Sequence, residues 1–223
     1  RAKIHGTTQA ERNANDGVSL IQTAEGGLNE ISNILIRLRE LSIQTSSDTI
    51  GNSERSFADL EYQNLKKEID RIAQSTEFNG KRLLNGQGEQ YDFQIGINNN
   101  PMEDRISYNA SVINSGVDSL RLSELSVTEK TTAQASLNVL DDAIQRVSGQ
   151  RSILGAVQNR LGSTIQNLQI SNANLSEANS RILDTDYAQE TAQNSKMNIL
   201  SAAGTAVLAQ ANSWGASAMK LIG

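Results

Sequence analysis

Apolar residues recur at alternating steps of three and four near the start of the chain, which is the pattern of a helix that buries one narrow stripe. The stripe consists of Ile21, Ala24, Leu28, Ile31, Leu35 and Leu38. Ile34 and Leu41 widen it, so we expect this helix to pack against more than one neighbour. The pattern predicts a first helix from about Thr8 to Gln44.

A second helix is predicted from about Glu54 to Ser75, after a run of small and polar residues at 46–52. Ser53 suits its N-cap, because a serine hydroxyl can accept a hydrogen bond from a free N–H of the first turn. The side expected to be buried carries Phe57, Leu60, Leu65, Ile69 and Ile72. Asn79 and Gly80 are expected to stop the helix, since both tolerate the left-handed conformation.

The segment that follows changes to a period of two, which is typical of half-buried strands. The alternating residues are Tyr91, Phe93, Ile95 and Ile97, and then Ile106, Tyr108 and Ala110. The run Asn98 to Pro101 between them reads as a turn. This stretch therefore predicts a small β-hairpin region.

A third helix is indicated by apolar residues at every seventh position. These residues are Leu140, Val147, Leu154, Leu161, Leu168, Leu175 and Ile182. The companion positions of the heptad are mixed, since Leu137, Ile144 and Ile165 are apolar whereas Arg151, Gln158, Asn172 and Asn179 are polar. The pattern predicts a rod of about 75 Å. The polar companions are expected to pair with the first two helices and so set the register.

The last segment, 187–223, contains a long charge-free stretch, because Lys220 is the only charged residue after Met197. Many of its side chains are small, so it would bury too little area on its own to stay ordered and is expected to need a partner. Together the patterns predict two N-terminal helices in 1–84, a small β-rich variable region in 85–130, a long helix in 131–186 and a C-terminal helix in 187–223. The predicted fold class is mainly α, an elongated helical bundle or coiled-coil rod with a small β-hairpin region.

Composition and charge narrow the class of function. Aromatic residues make up 4% of the chain and there is one Pro, which favours long helices with narrow contact seams over a compact globular core. A net charge of −5 argues against a nucleic-acid binder. The apolar run Ile199–Ala211 is shorter than the roughly 20 residues that span a bilayer, so we interpret it as an oligomer seam rather than a membrane segment.

Candidate chemistry is sparse. With no Cys and one His, His5, the chain can form neither a thiolate metal site nor a multi-histidine site. We interpret His5 as a solvated helix residue and expect no Ser-His-Asp triad. Asp184 and Asp186 are interpreted as helix-capping residues. Trp214 is either a partner anchor or an exposed terminal aromatic residue. We therefore predict no catalytic residue, no cofactor and no metal, and a protein that is not an enzyme.

Several short motifs resemble the bacterial flagellins. They are RNANDG at 12–17, IQTAEG at 21–26, LREL at 38–41, EIDRI at 68–72, FNG at 78–80, SRILDTDYA at 180–188 and LAQAN at 208–212. The resemblance implies a subunit that polymerises with copies of itself into the extracellular flagellar filament for motility, exported without a cleaved signal peptide. It also implies that several dozen N-terminal residues of the family are absent, so that this chain should polymerise poorly. The residues around Trp214 depart from the usual family ending.

The resemblance also implies partners. An export chaperone is expected to cover the C-terminal segment, and filament cap and hook-junction proteins are expected at the filament ends. The candidate contacts with the chaperone or the filament core are Ile199, Ala203, Ala206, Val207, Leu208 and Leu221.

Flagellins that vertebrate Toll-like receptor 5 detects carry four residue types that this chain retains, at Arg37, Leu41, Gln44 and Glu61. The resemblance therefore implies a candidate immune-receptor surface on the first two helices. The alternative interpretation is that all four are ordinary positions of the rod surface and of subunit contacts.

Other classes of protein remain possible from the residues. A hook–filament junction protein of the same export system would share the motifs at both chain ends, although the match through 10–44 favours the filament subunit. A signalling coiled coil would share the heptads but should lack the alternating strands at 91–110. An enzyme would need acid–base groups in the variable region, which contains no His.

Overall fold

The computed structural model describes residues 1–183 and 187–222, and the side chains of 1–182 and 187–215. The helices are α1 (Ala2–Thr45), α2 (Asn52–Ser75), α3 (Lys130–Leu183) and α4 (Tyr187–Ile222). The strands are β1 (Glu77–Phe78), β2 (Lys81–Arg82), β3 (Gln90–Gln94) and β4 (Arg105–Asn109), and a short 3₁₀ turn spans Ala110–Val112. The chain divides into two compact units, 1–175 and 176–223. The predicted fold class, mainly α with a small β region, is confirmed.

Helix α1 is longer than its apolar pattern predicts and begins at Ala2 rather than near Thr8. Its central stripe is fully buried and includes Leu28, Ile31, Leu35 and Leu38. Towards the start of the helix the same face continues with small buried residues, Thr7, Ala10, Ala14 and Gly17. Small side chains allow close approach but carry little hydrophobic signal. The sequence pattern therefore placed the start of this helix too late.

Helices α1 and α3 lie antiparallel, and polar pairs along their seam define one register. The pairs are Thr8 with Asn172, Glu11 with Gln169, Glu25 with Arg151, Arg39 with Asp141, and Ser42 with Ser136. In each pair the two residue numbers add up to between 176 and 180. Arg151 and Asn172, two of the polar heptad companions, thus pair with α1 as the sequence predicts.

The heptad row of α3 is buried over only part of its length. Leu140, Val147, Leu154 and Leu161 are fully buried. Leu168 and Leu175 are half-buried, and the side chain of Ile182 is 82% exposed. The prediction that Ile182 packs in this core is wrong for the single chain. Ile182 belongs to the second compact unit, whereas the four fully buried residues of the row belong to the first.

Helix α2 buries only part of the apolar set that its sequence predicts, since Ile69 is fully buried and Leu65 and Ile72 pack against the core. Phe57 is 69% exposed and Leu60 is 64% exposed, whereas Arg55, Tyr62 and Lys66 are buried. The two cations are buried because carbonyl oxygens accept from them while their aliphatic stems pack. Arg55 donates to the carbonyls of 45 and 47, and Lys66 donates to those of 123 and 125.

The N-cap of α2 is Gly51, and the helix begins at Asn52. Ser53, which the sequence suggested as the cap, therefore lies inside the first turn. Asp184 and Asp186, the other predicted capping residues, lie outside the described residues.

The dipeptide Asn79-Gly80 forms a hairpin turn and does not end a helix. Helix α2 stops at Ser75, and strands β1 and β2 pair with Phe78 opposite Lys81. Asn79 and Gly80 have φ values of 50° and 76°. Two successive positive φ angles are what a two-residue type I′ hairpin loop requires. The sequence correctly predicted the left-handed conformation of Asn79 and Gly80. The prediction that they end a helix is wrong, because they form a hairpin loop.

Strands β3 and β4 form the β-hairpin that the alternating pattern predicts, with Tyr91 opposite Tyr108. The rings of these two tyrosines stack with their centroids 6.2 Å apart. The buried carboxylate of Asp104 accepts from the N–H groups of 98 and 100 and so holds the connecting loop. Asn13 of α1 donates to the carbonyl of Gln94 over 3.0 Å. The hairpin is therefore fastened to α1 within the first unit.

Candidate interaction surfaces

Helix α4 exposes every side chain that the structure describes in it, residues 187–215. Among the predicted contact residues, Ile199 is 69%, Val207 67% and Leu208 65% exposed, and Ala203 and Ala206 are also exposed. The side chain of Leu221, the sixth of that set, lies outside the described residues. The predicted positions thus lie on an accessible surface of one helix.

No residue between Met197 and Trp214 carries a charge, although all of their side chains are exposed. The large apolar residues of this stretch, which include Leu200 and Trp214, are also exposed. An exposed apolar surface of this extent marks a site of association.

A second candidate surface, which is polar, lies where α1 and α2 run side by side. The guanidinium of Arg37 lies 2.8 Å from a carboxylate oxygen of Glu61 and 3.1 Å from one of Glu40. The hydrogen bond to Glu61, followed by the one to Glu40, raises the pKa of Arg37 above its ordinary value. All three side chains are about half exposed. The structure thus brings two predicted receptor-surface residues, Arg37 and Glu61, into direct contact.

The other two predicted residues of this surface differ in accessibility. Gln44 is exposed near the end of α1. Leu41 is only 2% exposed and belongs to the hydrophobic core. Leu41 cannot offer its side chain to a partner in this conformation, because it packs inward. The prediction that all four residues share one accessible surface is corrected to Arg37, Gln44 and Glu61.

Sequence reasoning missed three exposed residues near this surface. Glu40 completes the ion-pair cluster, and Phe57 and Leu60 lie on the outer side of α2. Tyr62 and Ile69 are both fully buried, and their seven-residue spacing was the sequence signal for the side of α2 that faces the core. Phe57 and Leu60 fall off that spacing, so their exposure could have been inferred from it.

Two other features are absent from the described part of the chain. It contains no group of three or more His, Asp or Glu residues placed to hold a metal ion. In the same residues, no helix combines the length and apolar character needed to cross a membrane.

Two family models match the chain. The model of the bacterial flagellin N-terminal helical region matches residues 1–89, and that of the C-terminal helical region matches residues 137–222. Between them they include α1, α2, the first hairpin, α4 and nearly all of α3.

Individual relatives agree with the family models. The chain is 39% identical to a flagellin of Halalkalibacterium halodurans over 100% of its own length and 80% of the relative. It is 41% identical to the flagellin of Bacillus subtilis, covering 83% of that protein. The crystal structure of Bacillus cereus flagellin superposes with a TM-score of 0.63 at 32% identity, covering 70% of this chain and 88% of that one.

Proposed function

Since the chain belongs to the bacterial flagellins and is a structural subunit of the flagellar filament, we propose that α4 is the segment through which its copies assemble. The single observation that supports this role is the charge-free, fully exposed stretch from Met197 to Trp214. Burying each large apolar side chain there contributes about 1.5–3 kcal/mol. Several such residues supply the affinity that a homopolymer needs.

The proposed polymer grows through unlike surfaces of successive subunits. A contact between two different patches repeats without closing, so it generates an open helical filament rather than a ring. Helix α4 supplies one of these patches, and it becomes covered when a subunit joins. We infer no catalytic step in this function, which is consistent with the structural character of the family.

The assembly role of α4 is tested by adding one charge at two places on the same helix. Leu208→Asp puts a carboxylate into the apolar stretch, and Gln193→Asp puts the same charge into its polar beginning. Both variants and the parent chain are followed by sedimentation and electron microscopy in a salt that strengthens apolar burial, such as ammonium sulfate. We expect Leu208→Asp alone to lose filaments. Equal assembly of both variants would contradict the role of α4.

The same surface accounts for a second proposed partner, an export chaperone that covers α4 before the subunit leaves the cell. A chaperone with a complementary apolar groove would bind the stretch that contains Ile199, Ala203 and Ala206 and keep it from aggregating. Isothermal titration with the flagellin chaperone of a Bacillus relative tests this. Leu208→Asp should weaken binding at least about tenfold, the equivalent of about 1.4 kcal/mol, and Gln193→Asp should not.

Filament cap and hook-junction proteins are proposed to meet the same subunit surfaces at the two ends of the polymer. The proposed place of action is outside the cell, in the filament. Immunogold labelling of intact cells that express the chain tests this location. Labelling confined to the cell interior of a strain with a working export apparatus would contradict it.

We further propose that Toll-like receptor 5 recognises the surface formed by Arg37, Gln44 and Glu61. The paired guanidinium and carboxylate are half-exposed and lie 2.8 Å apart, so they offer a donor and an acceptor side by side. Leu41 supports this surface from beneath, because its burial holds the α1 backbone in place.

Receptor recognition is tested with a reporter-cell assay of the purified chain. Arg37→Ala should reduce the response, whereas Arg71→Ala, which removes another exposed arginine of an ion pair, should leave it unchanged. Circular dichroism checks that both variants keep their helices. An unresponsive reporter with the parent chain would refute the proposal.

A further inference from the structure

The chain contains two Asn-Gly dipeptides, and the fold treats them in opposite ways. Asn79-Gly80 forms the exposed turn between β1 and β2. Asn85-Gly86 lies five residues beyond that turn, in a half-buried segment that bridges to Asn114. An Asn followed by Gly is the dipeptide most prone to lose its side-chain amide, because glycine leaves the following backbone nitrogen free to approach the side chain.

The backbone nitrogen of Gly80 is accessible. Among the described residues, no acceptor takes a hydrogen bond from its N–H group, and no partner holds the side-chain amide of Asn79. Apart from Gly80 and its two chain neighbours, no residue places an atom within 4 Å of the position that a side-chain carbon on Gly80 would occupy. Water can therefore reach both reacting groups, and the turn has room to adjust.

The backbone nitrogen of Gly86 is held in place instead. Its N–H donates to the carbonyl of Ile113 over 3.1 Å. The side chain of Asn114 packs over it, with atoms 2.6–2.8 Å from where a side-chain carbon of Gly86 would lie. The carbonyl oxygen of the Asn85 side chain accepts from the N–H of Gln87 over 3.0 Å. These contacts must open before the nitrogen can reach the side-chain carbon.

We propose that Asn79 is a site of spontaneous covalent modification, in which its amide is converted to aspartate or isoaspartate, and that the fold protects Asn85. The backbone nitrogen of Gly80 gives up its proton to water and attacks Cγ of Asn79. A bond forms between that nitrogen and Cγ, the bond from Cγ to the amide nitrogen breaks, and the departing NH2 group takes a proton back from water and leaves as ammonia. One water molecule then opens the resulting cyclic imide at either of its two carbonyl carbons.

The two products have different consequences for the hairpin. Aspartate adds one negative charge and can keep the left-handed conformation of Asn79. Isoaspartate inserts an additional methylene group into the main chain. A two-residue loop cannot absorb that extra length while Phe78 stays opposite Lys81 and Leu83 donates to the carbonyl of Thr76. Isoaspartate therefore loosens the segment that leads to the buried Leu83.

Peptide mapping by mass spectrometry measures both sites in one sample. Trypsin cuts after Arg71, Lys81, Arg82 and Arg105, so Asn79 and Asn85 fall in the separate peptides 72–81 and 83–105. The whole chain is incubated in mildly alkaline buffer, once folded and once unfolded in urea. The conversion of amide to carboxyl is then followed in each peptide, with an unincubated digest to correct for reaction during handling.

In the folded chain we expect Asn79 to react at least about tenfold faster than Asn85, because each roughly 1.4 kcal/mol needed to open the Gly86 contacts slows the reaction tenfold. In urea the two rates should become similar. Labelling with an isoaspartate-specific methyltransferase should mark peptide 72–81, and Asn79→Gln should abolish that label. Comparable rates in the folded chain, or a folded Asn79 that stays intact while the unfolded one reacts, would overturn the proposal.

Discussion

The hydroxyl of Ser136 donates to the hydroxyl of Ser42 over 2.8 Å, and both residues are fully buried. They are 94 residues apart in the chain and connect the last turn of α1 to the start of α3. The ring of Tyr62 from α2 is buried beside them. Burial raises the pKa of the Tyr62 hydroxyl, an effect that the two serine hydroxyls partly oppose. A small polar cluster thus marks where the three helices meet.

The first prediction concerns this cluster. Ser136→Ala should lower the free energy of unfolding by about 1 kcal/mol, since it removes one buried hydrogen bond. Tyr62→Phe should be close to neutral or slightly stabilising, because the tyrosine hydroxyl has no well-formed hydrogen bond in its buried position. Urea unfolding followed by circular dichroism measures both. A large loss for Tyr62→Phe would show that its hydroxyl is satisfied after all.

The second prediction concerns the heptad row of α3. Replacing both Leu154 and Leu161 by Asp buries two unpaired charges in a core that is fully closed at these positions. The cost should exceed the stability of a typical domain, about 5–15 kcal/mol, so the helical signal of the first unit should be lost. Ile182→Asp is the matched control, since its side chain is already exposed. An unchanged circular dichroism spectrum of the double variant would falsify the heptad interpretation.

The third prediction concerns the buried guanidinium of Arg55. It donates to the carbonyl of the last residue of α1, to the carbonyl of Ser47 just beyond it and to the side chain of Asn52. Arg55→Ala should destabilise the chain by about 2–3 kcal/mol, because the carbonyls lose charged donors and the stem leaves a void. Arg71→Ala, at an exposed ion pair, should cost less than about 1 kcal/mol. If the two variants unfold at the same urea concentration, the hydrogen bonds of Arg55 do not contribute measurably to the stability of the chain.

The fourth prediction concerns acid. Hydrogen bonds from Lys130 and Arg39 lower the pKa values of Asp48 and Asp141 below the ordinary 3.8. As the pH falls, the two carboxylates therefore take up protons in the unfolded chain before they do so in the folded chain. The stabilisation from the two ion pairs is present above about pH 4 and is lost as the pH falls through the lowered pKa values of the folded chain. The variant with Asp48→Asn and Asp141→Asn should show a weaker loss of stability between about pH 6 and pH 3.

Salt provides the control for this acid effect. Both ion pairs are solvent-exposed, so about 1 M NaCl should reduce the difference between parent and variant. Urea unfolding at each pH, with and without salt, gives the comparison. A variant whose acid sensitivity equals that of the parent at low salt would rule out these two carboxylates as its source.

Helical periodicity was enough to establish the class of the fold. The stripes of α1 and α3 follow from 3.6-residue geometry, which is local, so Leu28 to Leu38 and Leu140 to Leu161 could be assigned to the core from their spacing alone. The alternation that predicted β3 and β4 is local in the same sense. Motifs at both ends of the chain were sufficient to indicate the family.

Only the tertiary structure decided that α2 also buries two cations and where the buried row on α3 ends. Lys66 is buried because carbonyls of the distant residues 123 and 125 accept from it, and Arg55 is buried because carbonyls at the end of α1 and in the loop after it do so. No local pattern reveals those acceptors. Ile182 has the same heptad position as Leu154, yet its side chain is exposed whereas that of Leu154 is fully buried. The left-handed preference of Asn79-Gly80 is local, but strand pairing determined that it forms a hairpin. Whether a side chain is buried depends on the residues that pack against it, and those residues often lie far away in the chain.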